Sequence, residues 1–121
     1  MEKIIDEINA IVSSFDFFEF SINSYKDNLL TLFGSEDFIY YHNIEIIFND
    51  IFTIISNINW RVDTQSKSID ILTGPLKVEL NIKYFVEKGY TIFVLYNEEG
   101  IPQYIIAKSI RLVNKVTKYY T

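Results

Sequence analysis

Phe18-Glu19-Phe20-Ser21-Ile22-Asn23-Ser24-Tyr25-Lys26-Asp27-Asn28-Leu29-Leu30-Thr31-Leu32-Phe33-Gly34 is the stretch that decides the fold. Phe18, Phe20 and Ile22 alternate with Glu19 and Ser21, the two-residue period of a strand with one face in a core. Lys26-Asp27-Asn28 carries turn residues, and Leu29 to Phe33 reads as the return strand, stopped at Gly34. This is a hairpin, so the sheet it seeds is antiparallel. Phe17 and Phe33 fall on the polar side of their strands, which predicts a sheet covered on both faces.

Further strands follow toward the C-terminus. Phe38 to Phe48 is rich in aromatic and β-branched residues, with Ile44, Ile46 and Phe48 on one face. Asn49-Asp50 reads as a turn and Ile51 to Ile55 as the next strand. From Ser56 to Ser68 the pattern breaks down, which predicts the principal loop, with Trp60 inside it. Ile69 to Leu72 is a short strand. Over residues 75–86, Leu76, Leu80 and Tyr84 have helical spacing while Val78, Leu80 and Ile82 alternate as a strand would. Pro75 suits the first turn of a helix and tilts the reading that way. Thr91 to Tyr96, Asn97-Glu98-Glu99-Gly100 and Tyr104 to Leu112 read as strand, turn, strand, with Pro102 ahead of the paired part.

Toward the N-terminus the period changes. Ile4, Ile5, Ile8, Ile11 and Val12 mark one face of a helix that Ser13-Ser14 ends. Glu2, Asp6 and Glu7 favour its N-terminal end through the helix dipole. The expected fold is α+β: an N-terminal helix packed on a twisted, mostly antiparallel sheet of about six to eight strands. Residues 1–121 form a single domain in this reading.

Composition narrows the function. The chain is 49% hydrophobic and 17% aromatic, which supports a packed core and argues against disorder. It has no cysteine, hence no disulfide, zinc–thiolate site or thiol nucleophile. The acid-rich start does not resemble a signal peptide, and no apolar run approaches the ~20 residues of a membrane span. The cytoplasm is the default compartment. The wealth of isoleucine, asparagine and tyrosine suggests an AT-rich, bacterial genome.

The net charge of −5 is unevenly spread: residues 1–50 carry ten acids and two bases, and residues 51–121 carry six acids and nine bases. Lys108, Arg111, Lys115 and Lys118 make the end basic, but an acidic chain is a poor general binder of nucleic acid.

Little in the sequence carries chemistry. His42 is the only histidine, set in Tyr40-Tyr41-His42-Asn43, where a structural role competes with that of a general base. Glu36-Asp37 and Glu98-Glu99 are adjacent pairs beside glycines, placed as solvated turn acids. Four scattered glycines make no phosphate loop, and there is no nucleophile elbow. No catalytic residue, metal or cofactor is expected.

A protein partner suits the acids better. Glu19, Asp27, Glu36, Asp37, Glu45 and Asp50 are candidate partner-binding residues, placed on polar strand sides or at turns. Trp60 and Arg61 are residue types that anchor interfaces, while the favoured reading of Trp60 is that it folds back and covers one end of the core. A different class of reading places a small-ligand pocket or a minor enzyme site around His42 and its neighbouring tyrosines.

Tyr41-His42-Asn43-Ile44-Glu45-Ile46-Ile47-Phe48-Asn49-Asp50 and Tyr104-Ile105-Ile106-Ala107-Lys108-Ser109-Ile110 resemble segments of small bacterial proteins similar to the immunity proteins of polymorphic or contact-dependent growth-inhibition toxins. The resemblance implies a non-enzymatic protein that binds and neutralises a cognate toxin, with a basic toxin domain as the expected partner and no membrane involved. It carries over no functional residue.

Overall fold

The structure, a computed structural model, describes residues 1–120. Helix α1 (Glu2–Ser13) buries Ile5, Ile8 and Val12, the spacing that predicted it. Its end is satisfied locally: the Ser13 and Ser14 hydroxyls donate to the carbonyls of Ala10 and Ile11.

Strands β1 (Glu19–Lys26) and β2 (Leu29–Ser35) form the expected hairpin. Asp27 and Asn28, with φ of 53° and 64°, are its two loop residues. Positive φ at both loop positions matches the right-handed twist of the flanking strands, and Asp and Asn tolerate it best after glycine.

Gly34 does not stop β2 but lies inside it, paired with Phe20 and Ile44. A Cβ there would stand 2.8 Å from Phe18 Cε2 and 2.9 Å from both Phe20 Cε1 and Ile44 Cγ1. The glycine lets two phenylalanine rings lie on the backbone.

Three further sequence readings are corrected. Residues 38–40 form a turn, followed by the two-residue strand β3 (Tyr41–His42). Asn49-Asp50 is not a turn, because strand β4 (Ile44–Ile55) runs through it. Asp50 has φ of 56°, and the pairing with the penultimate strand slips between Ile51 and Thr53. The irregularity is a bulge, which bends a strand without ending it and re-aims its side chains. The 56–68 segment is not all loop, since β5 (Asn59–Arg61) pairs with β1.

The remainder is β6 (Ile69–Ile71), helix α2 (Gly74–Lys83), β7 (Thr91–Tyr96), β8 (Pro102–Val113) and β9 (Thr117–Lys118). Pro102 opens β8 and already pairs with Tyr96, so the paired part begins at the proline and not after it.

Seven strands form one antiparallel sheet in the order β5-β1-β2-β4-β8-β7-β6, and β3 pairs with β9 in a small second sheet. One core joins Ile5, Ile8 and Val12 of α1 to residues of both edge strands, Trp60 of β5 and Ile69 of β6, so the sheet curls around the helix. Leu80 of α2 packs with Ile92 and Ile106 in a second cluster on the opposite face. Both faces therefore carry covering elements; Phe33 is covered by His42, as its polar-side position predicted, but Phe17 precedes β1 and is exposed. No helix among the described residues is long and apolar enough to cross a membrane.

Asn9 fixes α1 to the β6 edge. Its amide nitrogen donates to the Ile69 carbonyl at 2.8 Å, and its amide oxygen accepts from the Ser68 and Ile69 N–H groups at 2.9 and 3.2 Å. One side chain thus closes a strand edge and orients a helix. Asn9→Ala leaves these groups without partners, and equilibrium urea unfolding should show a loss of about 1–3 kcal/mol.

Candidate functional site

The small β3–β9 sheet sits over the outer face of the main sheet near the end of β2. The segment after β2 is tightly tied: Ser35 Oγ donates to the Tyr41 carbonyl, Asp37 N–H donates to Ser35 Oγ, and Asn43 N–H donates to the Gly34 carbonyl, each at 2.8 Å. Asp37 Oδ1 accepts from Ile39 N–H and so shapes the turn. On the other side Tyr119 N–H donates to the Tyr40 carbonyl at 2.9 Å.

Beneath this platform lies His42, 1% exposed. Its ring stacks on Phe33 with centroids 3.8 Å apart. Nδ1 is 2.8 Å from Tyr119 Oη, and Nε2 is 2.9 Å from Glu45 Oε2. A neutral imidazole satisfies both contacts when Nε2–H donates to the carboxylate and the tyrosine O–H donates to Nδ1. Burial and the Glu45 charge push the Tyr119 hydroxyl above the ordinary tyrosine range.

A general base needs a free nitrogen aimed at a substrate, and both nitrogens of His42 are committed. The proposed pocket around it is filled by Phe33 and Tyr119. A cleft of about 360 Å³ lies instead between Asp63, Lys67 and Tyr96.

Above His42 the platform carries a cluster of solvent-facing apolar and aromatic side chains. Ile39 is 78% exposed and Tyr40 and Tyr120 are each 55% exposed. The Tyr40 and Tyr120 rings meet edge to face at 6.2 Å. Glu36 is exposed at the border, where it accepts a hydrogen bond from Tyr41 Oη. That bond, ahead of burial and the nearby carboxylate charges, pushes the Tyr41 hydroxyl up to about 12. Lys118 forms the opposite rim, its ammonium 5.9 Å from the Tyr120 ring centre.

The six candidate acids do not form one patch. Glu19 pairs with Ser35 at the open end of the hairpin, and Glu36, Asp37 and Glu45 lie at that same end. Asp27 sits at the hairpin tip, and Asp50 follows Asn49, the partner of Leu29. A hairpin this long separates the two groups by roughly 20 Å, well beyond the ~8–10 Å screening length at physiological salt. Glu45 is also not a free surface charge, because it holds His42.

Trp60 is 5% exposed, its ring 5.9 Å from that of Phe20, so it belongs to the core and not to a binding face. Arg61 is exposed, 5.2 Å above the Phe17 ring, and pairs with Glu19 across the β1–β5 edge.

Sequence reasoning missed Tyr119 and Tyr120. The available signal was an aromatic pair closing a segment otherwise read only for its basic charge. The fold and site define an α+β protein with an aromatic, acid-flanked surface on a rigid two-strand platform. No protein-family model, curated protein or solved structure matches the chain.

Proposed function

We propose that this chain is a non-enzymatic binding protein of the immunity type, which neutralises a basic bacterial toxin domain by covering it in the cytoplasm. The observation that carries this reading is the exposed Ile39, Tyr40 and Tyr120 group beside Glu36 and Asp37. Tyrosines presented on a fixed backbone give large contact area with few rotamers to order, and such residues dominate interface energetics. The carboxylates at the border attract a basic partner and set its approach. The acidic first half of the chain and the resemblance of Tyr41–Asp50 and Tyr104–Ile110 to immunity proteins agree with this role.

The test is co-purification with the product of the neighbouring upstream gene, together with rescue of growth when that product is expressed. Tyr40→Ala should weaken binding by about tenfold or more. Glu36→Lys should slow association at low salt and leave dissociation nearly unchanged. A neighbour that is neither toxic nor bound removes the proposal. Unchanged binding by both variants moves the interface off this surface.

A further inference from the structure

Helix α2 buries one side and leaves the other apolar. Leu80 faces the Ile92 and Ile106 cluster, while Val78, Ile82 and Phe85 are 57%, 69% and 85% exposed. Val78 and Ile82, four apart, lie on one outward face of the helix, and Phe85, just past the C-cap, extends this exposed apolar surface beyond the helix end.

The stripe ends in a conformational anomaly. Tyr84 is the C-cap of α2, and Phe85 follows it with φ of 53°. Phe85 N–H donates to the Ile82 carbonyl and Val86 N–H to the Asn81 carbonyl, the paired bonds of a Schellman ending. The position after the C-cap in this motif is usually glycine, because a Cβ there crowds the backbone. Here a phenylalanine occupies it and projects into solvent, where the monomer gives it no compensating burial.

The flanking charges indicate what covers the stripe. Glu79 and Lys83 stand four residues apart on one flank. A two-fold axis across the helix near Asn81 keeps this flank facing itself while reversing its direction, which brings each Glu79 to the partner's Lys83. The same operation sets Val78 near the partner's Phe85 and packs the two Ile82 side chains together. Self-complementarity of this kind is what an isologous interface requires. Residues 75–90 carry Lys77, Lys83 and Lys88 against Glu79 and Glu87, a near balance that gives neither a strongly basic partner nor an anionic membrane a strong charge complement.

We propose that the outward face of α2 is a homodimer interface in which a second copy of this chain packs antiparallel across Val78, Ile82 and Phe85.

Sedimentation velocity over a concentration series is the test, with the full chain at physiological salt. The wild type should show a reversible monomer–dimer equilibrium. Phe85→Gly should raise the dissociation constant by about tenfold or more. Because it also relieves the backbone, it should raise the melting midpoint of the dilute monomer by about 3–6 °C. Glu79→Lys and Lys83→Glu should each weaken the dimer by about three- to tenfold, and the double exchange should restore it. A monomer at every concentration overturns the proposal, as does a dimer indifferent to Phe85→Gly and to the charge reversals. Binding of a monomeric chain to phosphatidylserine vesicles through the same stripe also overturns it.

Discussion

Gly34→Ala should be among the most damaging single-methyl changes in this protein. The added Cβ has no room, at 2.8 Å from Phe18 and 2.9 Å from Phe20 and Ile44. All three neighbours are fully buried, with no solvent side to move toward. Overpacking of this kind costs about 1–3 kcal/mol and more where nothing yields, so the expected loss lies at or above the upper end. The backbone of Gly34 is not left-handed, so the penalty is steric alone. A second variant isolates the cause. Phe20→Leu opens space beside Gly34, and the double variant should lose less than the two single losses added together. Strict additivity in urea unfolding would show that the clash with Phe20 is not what the methyl group meets.

Ile8→Ala should destabilise the chain by about 2–5 kcal/mol. Ile8 is fully buried at the centre of the α1 face and lies in the core shared with both edge strands. The sheet curls around this helix, so the cavity left behind cannot close without moving several strands. Removing the side chain should lower the urea midpoint with an unchanged slope, since the same surface is exposed on unfolding. A loss under about half a kcal/mol, against the cavity costs expected of core sites, would show that the sheet does not enclose α1 as described.

The two predictions differ in how far the sequence foretells them. Ile8 is legible because helical periodicity names the buried face directly. Gly34 is not, because a glycine after an apolar run is as well suited to ending a strand as to sitting inside one. Its role follows from Phe20 of the neighbouring strand β1 and Phe18 just before it arriving over its backbone. Asn9 is a similar case. It stands next to Ile8 on the helix, and only the approach of β6 gives its amide three partners.

The candidate surface shows the same division. Glu36 and Asp37 are legible as turn acids, and an acidic first half is plain from composition. That they stand beside Tyr120 is not, because more than eighty residues of chain intervene and only the β3–β9 pairing joins them. The six candidate acids do not gather into one patch for a related reason. Alternation assigns each acid to a face of its strand, but position along a strand is set by register and loop length, which the pattern does not contain.

By itself the sequence determined the fold class, the buried face of α1, the β1–β2 hairpin with its turn around Asp27-Asn28, and the final β7–β8 hairpin. Each rests on residues close in the chain, where periodicity and turn chemistry act directly. Tertiary structure alone decided that Asp50 lies within β4 and is not a turn, that Trp60 is core, and that His42 is enclosed by Phe33, Glu45 and Tyr119. These depend on partners distant in sequence, and the energy of a contact is fixed by the neighbour that arrives, not by the residue that waits for it.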